Sequence, residues 1–328
     1  MVLLNDISIE IIRKCPNNCI HCSSMSDEHC KEILDYETFI AFARDAAKLG
    51  AKTICLSGGE PFVHPRIVDI VSHIASLGLQ TYIYTSGIVF ESDSNKTSIK
   101  REVLESISSM VAKLIFNIEA ATVKTYDSIM GTTGCFEKMK QSIRDANDLS
   151  IKTEAHFVPM KPNIGEVTSV IELCEEIGIS KLSFLRLVMH GRALENASQI
   201  ALSDENLEKL KLELESLKVT SALDIRIGIP LLLNLSDHKC EAAKGKLNIK
   251  YDGNVYPCEV FKNEGMSQVM RGIEADNIRY LSLCKIYSNS KYLNTVRLIS
   301  EAYACDKHCE TCLGQYLLAK GGATNGKQ

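Results

Sequence analysis

The stretch Ile7-Ser8-Ile9-Glu10-Ile11-Ile12-Arg13-Lys14-Cys15-Pro16-Asn17-Asn18-Cys19-Ile20-His21-Cys22 joins a β-branched run directly to three cysteines. The isoleucines of residues 7–12 predict a strand, because branched side chains fit a pleated surface. The cysteines follow on one loop at spacing C-x3-C-x2-C. A loop this tight can fold three sulfurs around one small metal site. Pro16 and the Asn17-Asn18 pair supply the turn chemistry that reverses the backbone between them. Thiolates are soft donors that suit an iron–sulfur cluster or zinc. A cubane has four irons, so three thiolates leave one iron open for a further ligand. The alternative is a zinc site completed by His21 or Cys30.

Outward from this stretch, strand-like segments recur at 53–57, 80–85, 113–118, 152–158 and 181–188. Helical periodicity lies between them. Phe39, Phe42, Ala46 and Leu49 share a face closed by Gly50, and Ile67, Ile70, Val71, Ile74 and Leu77 share one closed by Gly78. Val167, Val170, Ile171, Cys174 and Ile177 repeat the pattern before Gly178, and Leu207, Leu210, Leu214 and Leu217 follow Ser203. Six consecutive βα units imply a parallel sheet with right-handed crossovers. Periodicity alone leaves open whether it is an open doubly wound sheet or a curved partial barrel. In both, ligands bind at the carboxyl ends of the strands. The polar, Ser-rich residues 89–102 predict a long loop after the third strand. The alternation stops near Leu217, which makes 218–236 a linker, 237–316 a smaller cysteine-rich unit and 317–328 a flexible tail.

The chain has 328 residues and a formal charge of −4, which excludes a strongly basic nucleic-acid footprint. Apolar residues make up 45%, so it is not a disordered polar chain. No apolar run reaches the eighteen or so residues of a membrane span, and the N-terminus lacks the regions of a secretory signal. The expected location is therefore the cytoplasm. The 13 cysteines, an odd number, are expected to be thiols or metal ligands there and not disulfides.

Two further motifs stand at strand ends. Ser57-Gly58-Gly59-Glu60-Pro61 follows the second strand, where glycines allow close backbone approach and a carboxylate can accept from an ammonium group. Phe116-Asn117-Ile118-Glu119-Ala120 closes the fourth. Together with the cysteine loop, they resemble the radical S-adenosylmethionine (radical SAM) superfamily. The resemblance implies an α/β fold, a partial (β/α)6 TIM-like barrel over residues 1–217. It implies that Cys15, Cys19 and Cys22 hold a [4Fe-4S] cluster whose open iron binds the amino and carboxylate groups of SAM. By the same resemblance His21 packs on adenine, Gly58, Gly59, Glu60 and Pro61 form the motif that holds the SAM amino group, and Asn117 or Glu119 meets the ribose hydroxyls. Met130 stands before Gly131, where the family often carries Arg. In the stretch that ends the sixth strand, Arg186 or Arg192 would reach the SAM carboxylate or an acidic substrate, a surface ion pair being the alternative.

The second unit carries Cys240, Cys258, Cys284, Cys305, Cys309 and Cys312. Alternation around Asp252-Gly253 is a hairpin signal that would fold Cys258 back beside Cys240. The spacing C-x12-G-x4-C resembles the opening of SPASM and twitch extensions. The shorter twitch form, a small α+β extension with one auxiliary [4Fe-4S] cluster, fits the cysteine number best. Its expected ligands are Cys240, Cys258, Cys309 and Cys312, with Cys305 an alternative and Cys284 a spare thiol. A structural zinc site with four cysteine ligands is the competing assignment. Cys55, Cys135 and Cys174 look structural, and His156 in the fifth strand is placed to face the cavity.

The resemblance implies the reaction. A reduced cluster passes one electron to SAM, which splits to methionine and a 5′-deoxyadenosyl radical that takes a hydrogen atom from substrate carbon. The expected substrate is a peptide or protein side chain, as in peptide natural-product maturation. Against that, only fourteen residues precede Cys15, with no leader-recognition domain among them. Small-molecule tailoring is the alternative, and a zinc-binding adaptor is the alternative of another class. A flavodoxin- or ferredoxin-type donor would supply the electron, and no nucleic-acid or membrane partner is expected. Cys284 or Cys305 would be the thiol available to return a hydrogen atom.

Overall fold

The computed structural model describes residues 4–92, 95–228, 231, 240–305, 312–314 and 316–318. The first half runs β1 (Asp6–Ile12), α1 (Tyr36–Lys48), β2 (Thr53–Gly58), α2 (Ile67–Ser76), β3 (Gln80–Thr85), β4 (Ile88–Phe90), β5 (Lys96–Ser98), α3 (Arg101–Ile107), β6 (Lys113–Asn117), α4 (Val123–Met130) and α5 (Phe136–Asp148). The second half runs β7 (Thr153–Phe157), α6 (Val167–Glu176), β8 (Lys181–Phe184), α7 (Arg192–Glu195), α8 (Ala197–Ile200), α9 (Asp204–Thr220), β9 (Asp224–Ile227), β10 (Lys246–Ile249), β11 (Val255–Tyr256), α10 (Met266–Val269), α11 (Leu283–Asn289) and α12 (Lys291–Cys305).

The main sheet has the order β11-β10-β1-β2-β3-β6-β7-β8-β9. Its central six strands are the six expected from sequence, all parallel. The edges differ from expectation. Residues 224–227, placed in a linker, form β9 and pair parallel with β8. The C-terminal unit joins the same sheet, because β10 pairs parallel with β1 and places Lys246 opposite Asp6. Too short to show a period, neither strand has a helical repeat to mark it. Residues 89–102 are likewise not a plain loop. They hold the β4–β5 hairpin and the start of α3. The sixth strand stops at Phe184, so Arg186 lies beyond its end. The hairpin expected at Asp252-Gly253 does form between β10 and β11, with Gly253 at φ +91.

Local chemistry sets these elements. Asp35 caps α1, its side chain accepting from the Thr38 N–H at 2.9 Å, and Phe39, Phe42, Ala43 and Ala46 bury one helix face. Each phenylalanine so buried contributes about 1.5–3 kcal/mol. The strand pleat separates two environments. On β1, Ile7, Ile9 and Ile11 are fully buried in the apolar core, while Asp6, Ser8 and Glu10 line an interior chamber. Barrel interiors are usually packed with branched apolar side chains. This interior is polar and leaves room.

Candidate active site

The cysteine loop is held from three sides. The Cys15 N–H donates to Asp27 O at 2.9 Å, and the Leu34 N–H donates to Ile11 O at 2.9 Å, which closes the loop on itself. The Asn18 and Ile20 N–H groups donate to Met130 O and Ile129 O at 3.0 and 2.9 Å, tying it to the end of α4. Gly131 is required there: it sits at φ +60, and a Cβ would lie 2.3 Å from Asn18 O. From the third side Arg192 donates to Cys19 O at 2.8 Å and Ser26 O at 2.7 Å, and Asn196 donates to Ile20 O at 2.9 Å. Arg192 is therefore a strut of the loop. The sequence expectation that it reaches a ligand carboxylate is corrected, since its donors face backbone carbonyls.

Inside this frame lies a cavity of about 280 Å³ lined by Cys15, Cys19 and Cys22. His21, Gly58, Gly59, Asn117 and Arg186 also line it, as does Met130, whose sulfur lies 3.8 Å from Cys19 Sγ. Three expected cofactor residues are not on its wall. Glu60 is fully buried and already saturated. It accepts from Thr85 Oγ1 at 2.7 Å, Ser86 Oγ at 2.7 Å, the Ser86 N–H at 2.8 Å and the Phe62 N–H at 3.2 Å. Burial raises its pKa, and these donors oppose that. Its carboxylate pins the end of β3 to the turn after β2. Pro61 starts the short buried turn behind it. Glu119 is fully buried, accepts from the Val158 N–H at 2.9 Å, and lies 3.4 Å from His21 Nε2.

The two glycines matter for backbone approach. A Cβ on Gly58 would lie 2.1 Å from Ile12 O, and one on Gly59 would lie 2.3 Å from Lys14 O. The Gly59 and Glu60 N–H groups donate to Ile12 O and Lys14 O at 2.6 and 3.0 Å. The turn therefore locks the exit of β1, from which the cysteine loop departs.

Several buried polar atoms in or behind the wall of this cavity have no hydrogen-bond partner. They include both side-chain atoms of Asn17, Nδ1 of His21, Oγ of Ser26, Oε1 of Glu119 and the Tyr126 hydroxyl. Such groups are costly unless something satisfies them. Burial pushes the Cys15 and Cys19 thiols well up, Cys15 further by Cys19 and Glu60, Cys19 further by Cys22 and Glu119. Bound metal cations make thiolate the favoured form in such a place. Among the described residues no group of three His, Cys, Asp or Glu side chains is arranged to hold a single metal ion; the thiols instead border a cavity. The residues present fit a multi-iron group with a polar organic ligand beside it. Asn17 and Ser26 went unassigned in the sequence, where Asn17 carried only a turn signal.

A second cavity of about 640 Å³ fills the barrel interior. It shares Ser24, Ser57, Gly58, Tyr84, Asn117 and Leu185 with the first, so the two adjoin at these residues. Cys258 is among its lining residues. Burial pushes the Cys258 thiol up to about 12, with Cys312 and Cys240 close enough to add to the effect. Cys240 feels Cys312 in the same way. Three of the four expected cysteines thus lie near enough to influence one another, without being arranged to hold a single metal ion, and the fourth, Cys309, lies outside the described residues. Cys284 is elsewhere: on α11 its sulfur lies 3.9 Å from Asp45 O of α1. That removes it as a thiol facing the chamber. Cys305 ends α12, and its side chain lies outside the described residues. His156 does face the chamber, as expected, and Cys55, expected to be structural, lines it too.

Comparison with known proteins gives a family match for each unit. The family model described as the Radical SAM superfamily matches residues 9–174, and that described as SPASM, an iron-sulfur cluster-binding domain, matches residues 240–313. A "PqqA peptide cyclase" of Gluconobacter oxydans is 23% identical over 291 residues, covering 88% of this chain and 77% of the relative. An "AdoMet-dependent heme synthase" of Methanosarcina barkeri is 23% identical over 344 residues, covering 96% and 93%. In fold, Streptococcus suis SuiB bound to S-adenosylmethionine superposes with a TM-score of 0.73 at 15% identity, covering 91% of this chain and 68% of SuiB.

Proposed function

Because this chain belongs to the radical SAM superfamily, we propose that Cys15, Cys19 and Cys22 hold its SAM-binding [4Fe-4S] cluster and that it modifies a side chain of a peptide or protein. The chain is an enzyme that uses SAM, a [4Fe-4S] cluster and an auxiliary cluster in its SPASM-type unit. We assign that auxiliary cluster to Cys240, Cys258, Cys309 and Cys312. Bound in the two sites, these groups supply a 5′-deoxyadenosyl radical that takes a hydrogen atom from substrate carbon, with a second redox centre nearby.

The chain's own residues do the positioning. Asn17, Asn117 and Arg186 offer polar groups at the wall of the smaller cavity, and His21 offers a ring edge there. Gly58 and Gly59 fix the loop by backbone contact. Enclosure matters because a primary carbon radical attacks whatever lies nearest. The observation that carries the reading is the pair of adjoining cavities, one lined by the three loop cysteines and the other by Cys258, with Tyr84 on the wall of both. A substrate held in them would lie between the two sets of cysteines. The name of the Gluconobacter relative supports a peptide substrate. The Methanosarcina relative, matched over 93% of its length, favours the second reading, a small-molecule substrate in the same chamber. We further assign electron supply to a flavodoxin- or ferredoxin-type protein and the location to the cytoplasm. No helix among the described residues is long and apolar enough to cross a membrane.

The test is anaerobic reconstitution followed by dithionite reduction. SAM should shift the paramagnetic resonance of the reduced protein, and Cys22→Ala should abolish that shift. Precursor peptides encoded beside the gene are then offered, and their masses are followed with 5′-deoxyadenosine release. A peptide mass change supports the peptide reading. Turnover only with small molecules supports the second, and the absence of any SAM-dependent spectral change overturns both.

A further inference from the structure

The charges inside the chamber are mostly matched. Lys113 lies 2.7 Å from Glu154, Lys181 lies 2.9 Å from Asp224, and Lys262 lies between Glu10 and Glu259 at 2.5 and 2.6 Å. Lys246 stands opposite Asp6 in the β1–β10 register, with no ion pair between them. Arg226 on β9 is likewise unmatched, and it is the one that stands near His156 and Tyr84. It is exposed and lines the chamber. Among the described residues no carboxylate lies within 4.0 Å of its guanidinium. The pleat points it into the interior, since Ile225 and Ile227 on either side are buried in the core.

Its surroundings suit an anion. Arg226 is close enough to His156 and Tyr84 to perturb both. The two rings pack with centroids 5.3 Å apart. Burial first, and Arg226 second, lower the His156 pKa to about 3, so at neutral pH the imidazole is an uncharged hydrogen-bonding group. A guanidinium presents a rigid fork that matches a carboxylate in two parallel hydrogen bonds. An unmatched cation in a partly enclosed chamber also attracts anions before contact. The group of Glu10, Glu259 and Lys262 also lines the chamber and carries one more negative charge than positive.

We propose that Arg226, with His156 and Tyr84 beside it, is the specificity point of the substrate chamber and receives a carboxylate carried by the substrate. This rests on the reading of the barrel interior as the substrate chamber and deepens it by naming the substrate's charge. The carboxylate can belong to an acidic side chain of a peptide or to a small organic acid, and the two are separable by experiment.

The experiment is titration calorimetry on the holoenzyme with both clusters loaded and SAM bound. The probes are Ac-Ala-Glu-Ala-NH2, its Gln counterpart and glutarate. Arg226 makes no ion pair among the described residues, so Arg226→Gln should load iron as the parent does. Binding of the Glu peptide and glutarate should weaken about 10- to 100-fold in Arg226→Gln, the range for losing a hydrogen bond to a charged group. Arg226→Lys should recover part of it, because a point charge lacks the fork. Glutarate binding alone, lost in Arg226→Gln, keeps the anion point and removes the peptide reading. Equal binding of both peptides, unchanged in Arg226→Gln, overturns the anion point while the peptide reading stands. No binding by any carboxylate probe overturns the proposal.

Discussion

Lys262, in the turn after β11, places its ammonium 2.5 Å from Glu10 Oε1 on β1, and both side chains are almost fully buried. The same ammonium lies 2.6 Å from Glu259, and Ser24 of the cysteine loop donates to Glu10 at 2.7 Å. One buried cation thus joins the C-terminal unit, the first strand and the loop that carries Cys15, Cys19 and Cys22.

Removing that cation leaves a buried carboxylate alone. Lys262→Met is expected to cost about 3–5 kcal/mol in urea unfolding, and the double variant with Glu10→Gln should recover much of it, because replacing both partners removes the uncompensated charge. The pH dependence has a definite sign. Burial raises the Glu10 pKa, but Lys262 and the Ser24 hydrogen bond outweigh it and leave it below the ordinary 4.5. Its stabilisation is present above pH 4.5 and is lost as pH falls through the lowered folded value. Burial lowers the Lys262 pKa, Glu10 and Glu259 outweigh that, and the net shift is upward from 10.5. Its share is full below 10.5 and is lost only as pH rises through the raised value. Equal stability of the single and double variants would refute the coupling.

Arg192 supplies a second test, because its two charge-assisted bonds end on Cys19 O and Ser26 O. Arg192→Ala should destabilise the loop by about 1.5–3 kcal/mol. The iron content of the anaerobically reconstituted protein should fall even without SAM. A residue that acted only on the SAM carboxylate would leave iron loading unchanged. Iron assay and visible absorption of the two proteins separate the cases.

The parallel strands were legible because each couples a β-branched run to a helical period closed by glycine, as Thr53–Gly58 does with Ile67–Ser76. The grouping of the three loop thiols was legible from their spacing, which left an iron–sulfur cluster and zinc both open. What escaped was long-range. Nothing local to Asp224–Ile227 or Lys246–Ile249 shows that they extend the two edges of one sheet. Glu60 looked like a ligand group because sequence cannot show that Thr85 and Ser86, a strand away, already saturate it. Arg192 looked free for the same reason. Lys262 carried no signal at all, since its partner Glu10 lies 252 positions earlier.

Glycine geometry yields a prediction with an internal control. A Cβ on Gly59 would meet Lys14 O at 2.3 Å and Arg13 O at 2.4 Å, both backbone atoms that cannot swing aside. Gly59→Ala should therefore displace the exit of β1, lowering both thermal stability and iron retention. Gly78 also sits at positive φ, +71, but a Cβ there meets nothing within 4 Å. Gly78→Ala should cost only the left-handed backbone strain, about 1–2 kcal/mol, and leave iron retention unchanged. If both variants lose iron equally, general destabilisation and not the close approach is responsible.

His156 gives the last test through proton linkage. Burial is the larger cause and Arg226 the next in lowering its pKa from 6.5 to about 3. In that interval the unfolded chain binds a proton that the folded chain refuses. The contribution of neutral His156 is thus full above pH 6.5 and is lost as pH falls toward 3, with a slope of up to about 1.4 kcal/mol per pH unit. His156→Phe keeps a ring beside Tyr84 and removes the titrating group. The difference between parent and variant should therefore change with pH below 6.5 and be flat above it, which cancels the carboxylates common to both. Imidazole resonances should agree: the His156 signal should not move between pH 8 and 5. A signal that titrates near 6.5 would mean the ring is not held neutral, and the uncharged partner assigned to Arg226 would be lost with it.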